Sequence, residues 1–127
     1  MRKITRGIVT AFLDNRCLRK DNTTTDGSEI RLFGNLIAYW DTDSTVGGHI
    51  VQCVAITLAG WNSTTTRERL NGLLELMGLE KRIISEDGVP YIRYKRYDSM
   101  MDIYKHYTVD YDFLSPQNYE RITGELI

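Results

Sequence analysis

The stretch ITLAGWNSTTTRERLNGLLELMG, residues 56–78, decides much of the fold because it joins a strand-like run to a helix-like run. Its second half carries apolar residues at the i, i+3, i+4, i+7 spacing of a helix that packs one side on a core. These residues are Leu70, Leu73, Leu74 and Met77. Gly78 follows them and is a typical helix stop. We therefore expect a buried strand that leads into an amphipathic helix over about residues 66–77.

The start of this helix has two interpretations. Thr65 and Glu68 stand three residues apart, as in a capping box, where a hydroxyl and a carboxylate each bond a backbone amide. Further hydroxyls and two arginines also cluster here, and such a helix start suits a phosphate or carboxylate anion. The alternative is that the arginines pair with surface acids. With the neighbouring Trp61 and Asn71, the candidate binding residues are Trp61, Ser63, Thr64, Thr66, Arg67, Arg69 and Asn71.

Apolar periodicity predicts the other elements of the N-terminal half. A first amphipathic helix should run to about Asn15, with Thr5 or a neighbour as its cap. Residues 19–27 are polar and indicate a loop. The run EIRLFGNLIAYW, residues 29–40, predicts two strand halves joined by a bulge or kink at Gly34 and Asn35. Turn-forming residues over 41–48 predict a hairpin connection, and residues 49–59 predict a buried strand.

The C-terminal half predicts a second hairpin and a helical tail. Asp87-Gly88 lies between strand-like residues 82–85 and 89–97, which is a strong hairpin signal. Residues 100–113 fit either a helix or a strand, and Ser115-Pro116 predicts a last helix that runs to Leu126. We expect one α+β domain over residues 1–127, with an antiparallel sheet of about four strands, helices packed on one face, and the order α-β-β-α-β-β-α.

Composition narrows the class of protein. The apolar fraction of 42% and the charged fraction of 26% are ordinary for a soluble globular chain, and no membrane association is expected. A net charge of −1 argues against a protein that coats nucleic acid by bulk charge. The apolar run over residues 8–13 is too short for a signal peptide, so we expect a cytosolic protein. Cys17 and Cys53 are expected to remain separate reduced thiols.

A second candidate surface is the segment PYIRYKRY, residues 90–97. Alternate residues of a strand share one face, and this face would offer rings for base stacking and charges for phosphate. Its residues are Tyr91, Arg93, Lys95 and Tyr97. The alternative is a solvated edge strand whose charges discourage unwanted pairing. The tyrosine-rich and acidic segment that follows, residues 97–113, is a candidate face for a basic protein partner.

The sequence indicates no catalytic, metal or cofactor site. His49 and Cys53 would share a strand face, but too few further ligands exist for a zinc site. Asp110 and Asp112 lack the glycine-framed loop of a calcium site. The chain has no phosphate loop, dinucleotide fingerprint, nucleophile elbow or metalloprotease helix. We therefore expect a protein that is not an enzyme and needs no cofactor.

Two segments together resemble a known family. LFGNLIA, residues 32–38, and ITLAGWNSTTTRERLNGLL, residues 56–74, resemble small proteins of tailed bacteriophages. In that family a GN-x-IA strand precedes a strand that ends in G-W and a T-T-R-x-R-L-N helix start. AFL at 11–13 and the Asn22-Thr23 pair also match, so the resemblance covers residues 8–78. It implies a phage protein that acts in the host cytoplasm, where such proteins commonly bind a nucleic acid or disable a host enzyme or defence complex.

Two functions follow as expectations. The first is a non-catalytic phage accessory protein, oligomeric with a homodimer as the simplest case, that binds a host protein. The target would be a host defence or transcription complex that the protein inhibits or modulates. The second is a nucleic-acid or nucleotide binding protein that uses the basic, aromatic strand and the helix N-terminus.

Overall fold

The computed structural model describes residues 1–46, 49–60, 62–98, 103–110 and 120–122, and over these ranges the chain forms two helices and nine strands. The helices are α1 (Lys3–Leu13) and α2 (Thr64–Leu76). The strands are β1 (Leu18–Lys20), β2 (Thr23–Thr25), β3 (Glu29–Leu32), β4 (Asn35–Val46), β5 (His49–Ile56), β6 (Lys81–Glu86), β7 (Val89–Asp98), β8 (Ile103–Asp110) and β9 (Glu120–Ile122).

The described strands form two antiparallel sheets. One sheet has six strands in the order β1-β2-β3-β4-β5-β9, and the other has three strands in the order β6-β7-β8. The chain leaves the first sheet through α2, builds the second, and returns at β9. The expected α+β class with antiparallel pairing is confirmed. The expected count of about four strands and the order α-β-β-α-β-β-α are wrong.

The polar stretch over residues 19–27, expected to be a loop, contains most of a short hairpin. β1 and β2 pair antiparallel, and Thr23 and Thr25 of β2 are buried. The hydroxyl of Thr23 accepts a hydrogen bond from Arg69, 46 residues further along the chain. Because this burial depends on a distant partner, the local sequence pattern does not indicate a strand here.

The expected bulge near Gly34 is instead a two-residue hairpin turn between β3 and β4. Leu32 pairs with Asn35, and the turn residues Phe33 and Gly34 have φ angles of 50° and 81°. Positive φ at both positions defines a mirror-image turn that matches the twist of the flanking strands. The N–H of Phe33 donates to the carbonyl of Asn22 at 2.8 Å, so this turn is fixed to the β1–β2 turn. β4 continues to Val46, so most of the predicted connection over residues 41–48 is strand.

The second hairpin forms where Asp87-Gly88 predicts it. Glu86 pairs with Val89, and the turn residues Asp87 and Gly88 have φ angles of 51° and 77°. Residues 103–110 adopt the strand alternative as β8. The predicted last helix is contradicted over residues 120–122, which pair with β5 as β9. The Ser115-Pro116 signal lies outside the described residues.

The core lies where the two helices meet the sheets. α1 contributes Ile8 and Phe12. The three leucines of the predicted stripe, Leu70, Leu73 and Leu74, are fully buried, and Met77 is partly buried. The rings of Phe12 and Trp40 stack at 5.0 Å, and the indole N–H of Trp40 donates to the carbonyl of Phe12 at 3.4 Å. The second sheet adds Ile83 and Ile92 to the same cluster. Both sheets therefore share one apolar core.

The C-terminus of α2 ends as predicted at Gly78. Its φ of 76° is in the left-handed region that favours glycine. The N–H of Gly78 donates to the carbonyl of Glu75, and the N–H of Leu79 donates to that of Leu74, each at 3.0 Å. This pair of bonds is a Schellman motif, which satisfies the last helical carbonyls.

Candidate functional site

The first helical turn of α2 is capped by Ser63 and not by Thr65. The side chain of Ser63 accepts the N–H of Thr66 at 3.1 Å. The helix begins at Thr64, two residues earlier than expected, and Glu68 consequently falls in the second turn. There its carboxylate accepts hydrogen bonds from Arg2, Thr5 and Arg69. The predicted capping box of Thr65 and Glu68 is therefore wrong.

Arg69 lies in the interior, with 2% of its side chain exposed. Its Nε donates to the hydroxyl of Thr23 at 3.1 Å, and its Nη1 donates to the hydroxyl of Thr5 at 2.7 Å. Nη1 also pairs with Glu68 Oε2 at 2.8 Å, and Nη2 reaches Asn22 Oδ1 at 3.5 Å. We call Thr5, Asn22, Thr23, Glu68 and Arg69 the buried network. Because its partners are internal, Arg69 is not presented to an external anion.

Glu68 caps the N-terminus of α1, although it belongs to α2. Its Oε1 accepts the backbone N–H of Arg2 at 3.0 Å, while Thr5 donates to Oε2. Arg2 occupies the cap position and makes no side-chain cap bond, so the expected cap by Thr5 is wrong. Burial alone raises the pKa of Glu68, but hydrogen bonds from Thr5, the Arg2 backbone and Arg69 outweigh it. The pKa of this carboxyl therefore lies below its usual range.

This lowered pKa predicts acid-sensitive stability. A carboxyl with a lower pKa in the folded state stabilises the fold above its unfolded pKa, about 4.3, and loses that contribution as pH falls through the folded value. We expect Glu68→Gln to be less stable than wild type at pH 7, with a gap that narrows below about pH 5. Urea denaturation at a series of pH values measures this gap. A gap that stays constant down to pH 3 would contradict the prediction.

An apolar cavity of about 380 Å³ lies beside the N-terminus of α2. It is bounded by the β3–β4 turn, the residues that directly follow β5, and the first turn of α2. Its lining residues are Leu32, Phe33, Asn35, Ile37, Leu58, Ala59, Ser63, Thr65 and Thr66. The two segments that carry the phage resemblance thus meet at this apolar cavity. Of the predicted site residues, Ser63 and Thr66 line it.

Phe33 lines the apolar cavity and is 73% exposed. Its φ of 50° is one that bulky residues rarely adopt, and a mirror-image turn prefers asparagine or aspartate at this position. Turn chemistry therefore does not account for a phenylalanine here. Phe33 also borders a second depression, whose other lining residues are Arg19, Asp21, Asn22, Thr24 and Gly34. An exposed aromatic ring between an apolar cavity and a polar rim is typical of an interaction surface.

A polar cleft of about 670 Å³ lies on the other side of α2, between α1 and β6. It contains the predicted site residues Thr64, Arg67 and Asn71, together with Arg2 and Arg82. The cleft is completed by Met1, Glu68, Gly72, Glu75, Ile83, Ile84 and Ser85. The predicted helix-start residues are therefore divided among the apolar cavity, the polar cleft and the buried network.

Asn71 joins α2 to the second sheet. Its Nδ2 donates to the carbonyl of Ile83 at 2.9 Å, and its Oδ1 accepts the N–H of Ile83 at 2.6 Å. Nearby, Asn62 Nδ2 donates to Ser85 Oγ and to the carbonyl of Gly88, each at 3.1 Å. These bonds fix the β6–β7 hairpin relative to the polar cleft.

The predicted basic strand forms as part of β7, with residues 91, 93, 95 and 97 at alternate positions. Tyr91 is half-buried, and Arg93 pairs with Glu86 at 3.3 Å with both side chains exposed. Lys95 and Tyr97 pair with residues 106 and 104 of β8. Their side chains, like Trp61, lie outside what the structure describes. Tyr91 and Arg93 line neither the apolar cavity nor the polar cleft.

The described part of the chain shows no metal site. No group of three or more of its His, Cys, Asp or Glu residues is placed to hold a metal ion. No disulfide joins Cys17 and Cys53, and Cys17 is exposed while Cys53 is buried. Neither described helix is long and apolar enough to cross a membrane.

Comparison with known proteins finds a similarity at the family level. A family model described as Kyanoviridae Gp96 protein matches residues 1–113. No curated protein and no solved structure matches the chain. The matched span includes the residues that line the apolar cavity and the polar cleft.

Proposed function

Because the chain belongs to the Kyanoviridae Gp96 family of phage proteins, we propose that it is a non-catalytic phage accessory protein that binds a host protein in the host cytoplasm. The target is a protein complex of the host, such as its defence or transcription machinery, and binding inhibits or modulates that complex. The docking surface is the apolar cavity together with Phe33.

The exposure and the backbone conformation of Phe33 are the main support for this proposal. Phe33 is 73% exposed, and its backbone is in a left-handed conformation that asparagine or glycine would adopt more easily. The hydrogen bond from its N–H to Asn22 fixes the turn before any partner arrives. Because the backbone of this turn is already ordered, less conformational entropy is lost on binding, and this favours a role for Phe33 as an anchor for a partner.

The surroundings of Phe33 support a protein partner in particular. An anchor that dominates binding energy sits beside a pocket that excludes water, and a polar rim surrounds it. The apolar cavity supplies such a pocket, and Arg19, Asp21, Asn22 and Thr24 supply the rim. We expect the partner to insert an apolar side chain into the cavity and to pack against the ring of Phe33.

Phe33→Asn tests this proposal without disturbing the fold. Asn-Gly is the preferred pair for a mirror-image turn, so the variant is expected to be at least as stable as wild type. Its affinity for the host partner is expected to fall about tenfold or more. Wild type and variant are immobilised equally, exposed to nuclease-treated host lysate, and compared by quantitative mass spectrometry. Each enriched host protein is then titrated in purified form.

Val89→Thr is the matched control. Val89 is also an exposed apolar residue beside a two-residue hairpin turn, with 40% exposure, but it does not line the apolar cavity. The control variant should retain the host protein that Phe33→Asn loses. Equal capture by all three proteins, or capture that disappears after nuclease treatment, would refute the proposed docking surface.

A further inference from the structure

The polar cleft differs from the protein-docking surface in its chemistry. We propose that it binds a phosphate group of a nucleotide or of a nucleic-acid backbone, through Arg2, Arg67 and Arg82. Arg2 is the cap residue of α1, Arg67 belongs to α2 and Arg82 belongs to β6, and all three line the cleft.

The charges on the cleft wall do not cancel. Glu68 is already neutralised by Arg69 at 2.8 Å, and it accepts further hydrogen bonds from Thr5 and from the Arg2 backbone. Glu75 is the remaining acidic group among the described residues that line the cleft. Arg2, Arg67 and Arg82 form no salt bridge with any residue that the structure describes. The polar cleft therefore carries excess positive charge although the whole chain has a net charge of −1.

Arg67 is held in place by neutral groups. Its Nη1 donates to the backbone carbonyl of Asn62 at 3.0 Å and to the side-chain oxygen of the same residue. Asn62 is in turn bonded to Ser85 and Gly88 of the β6–β7 hairpin. Neutral acceptors orient a guanidinium without compensating its charge, so Arg67 keeps its full attraction for an anion. Because the Arg67 side chain is already ordered by these bonds, it loses less conformational entropy when an anion binds.

The number of arginines indicates phosphate. A carboxylate carries one charge and is satisfied by one guanidinium, whereas phosphate groups offer more acceptor oxygens and can engage several. Among the described residues, the lining contains no aromatic side chain on which a base could stack. We therefore expect recognition of the phosphate with little preference among bases.

Fluorescence anisotropy with a labelled single-stranded oligonucleotide tests the proposal. Inorganic pyrophosphate, ATP and an unlabelled oligonucleotide are added as competitors. Three phosphate contacts predict a slope of about −2 in log affinity against log salt, and each lost arginine should reduce that slope by about 0.7. Competition by ATP and pyrophosphate at concentrations like those of the oligonucleotide would assign the cleft to a free nucleotide. Much stronger competition by the oligonucleotide would assign it to a nucleic-acid backbone.

Arg82→Ala and Arg67→Ala are the test variants, and Arg16→Ala is the control. The side chain of Arg82 is exposed and makes no hydrogen bond with the part of the chain that the structure describes, so its variant should fold normally even if Arg67→Ala is destabilised. Arg16 is an exposed arginine outside the cleft, paired with Asp14 at 3.4 Å. Binding that is absent with every phosphate probe, unchanged in Arg82→Ala, or displaced equally by an acidic peptide would overturn the proposal. Phe33→Asn should bind phosphate normally, so the two proposals can fail separately.

Discussion

Substitution of Arg69 by alanine is expected to lower the free energy of unfolding by about 3 kcal/mol and the melting temperature by about 10 °C. The change removes the donor that Thr5, Thr23 and Glu68 share in the interior. The hydroxyls lose hydrogen bonds in a place that water does not reach, and Glu68 loses its counter-charge. Urea denaturation monitored by circular dichroism gives the difference in unfolding free energy.

Two further variants separate the geometry of Arg69 from its charge. Arg69→Lys keeps the positive charge but cannot donate along the same planar fork, so an intermediate loss is expected. Arg16→Ala removes an arginine whose side chain is 58% exposed and should change stability by less than about 0.5 kcal/mol. If Arg69→Ala cost as little as Arg16→Ala, the buried network would not stabilise the fold.

Gly72→Ala is expected to destabilise the protein by about 2 kcal/mol. This is the opposite of helix propensity, which favours alanine over glycine by about 1 kcal/mol. A Cβ at this position would overlap Cγ2 of Thr5, which belongs to α1 and lies against Gly72 of α2. Thr5 is fully buried, and its hydroxyl bonds both Arg69 and Glu68, so it cannot turn away without breaking the buried network. Thermal unfolding compared with wild type measures the effect.

Gly7→Ala is the matched control for Gly72→Ala. Gly7 is also inside a helix, but a Cβ there would meet Leu18 at an ordinary 3.6 Å. This variant should gain up to about 1 kcal/mol from helix propensity. The two glycine variants should therefore change stability in opposite directions. A stabilising Gly72→Ala would mean that the two helices are not in close contact at Thr5.

Local signals predicted the parts of the fold that depend on neighbouring residues. The Asp87-Gly88 turn, the leucine stripe of α2 and its stop at Gly78 each follow from residues a few positions apart. β9 was missed because its partner strand β5 lies far away in the chain, and β2 was missed because the burial of its threonines depends on Arg69. A polar segment such as Thr23-Thr24-Thr25 is buried when a distant arginine supplies hydrogen bonds, and no local pattern shows this.

The candidate site was also predicted only where it depends on neighbouring residues. The sequence identified the start of α2 as unusual, but it could not show that Arg69 points inward while Arg67 lines the polar cleft. It also missed Asn62, which directly precedes the cap residue Ser63, and Phe33 and Arg82, which the fold brings near α2 from other elements. One local signal was available for Phe33. A bulky apolar residue directly before glycine, between two strand-like runs, is an unusual choice for a hairpin turn.

The bond pair between Asn71 and Ile83 has a consequence for self-association. Among the described strands, β6 is at the edge of its sheet, and an edge strand with unpaired N–H and carbonyl groups can recruit a strand from another molecule. The amide of Asn71 occupies both groups of Ile83, so a side chain substitutes for the missing neighbour strand at that point. Copies of the chain that meet in solution are thereby prevented from extending this sheet across β6 through Ile83.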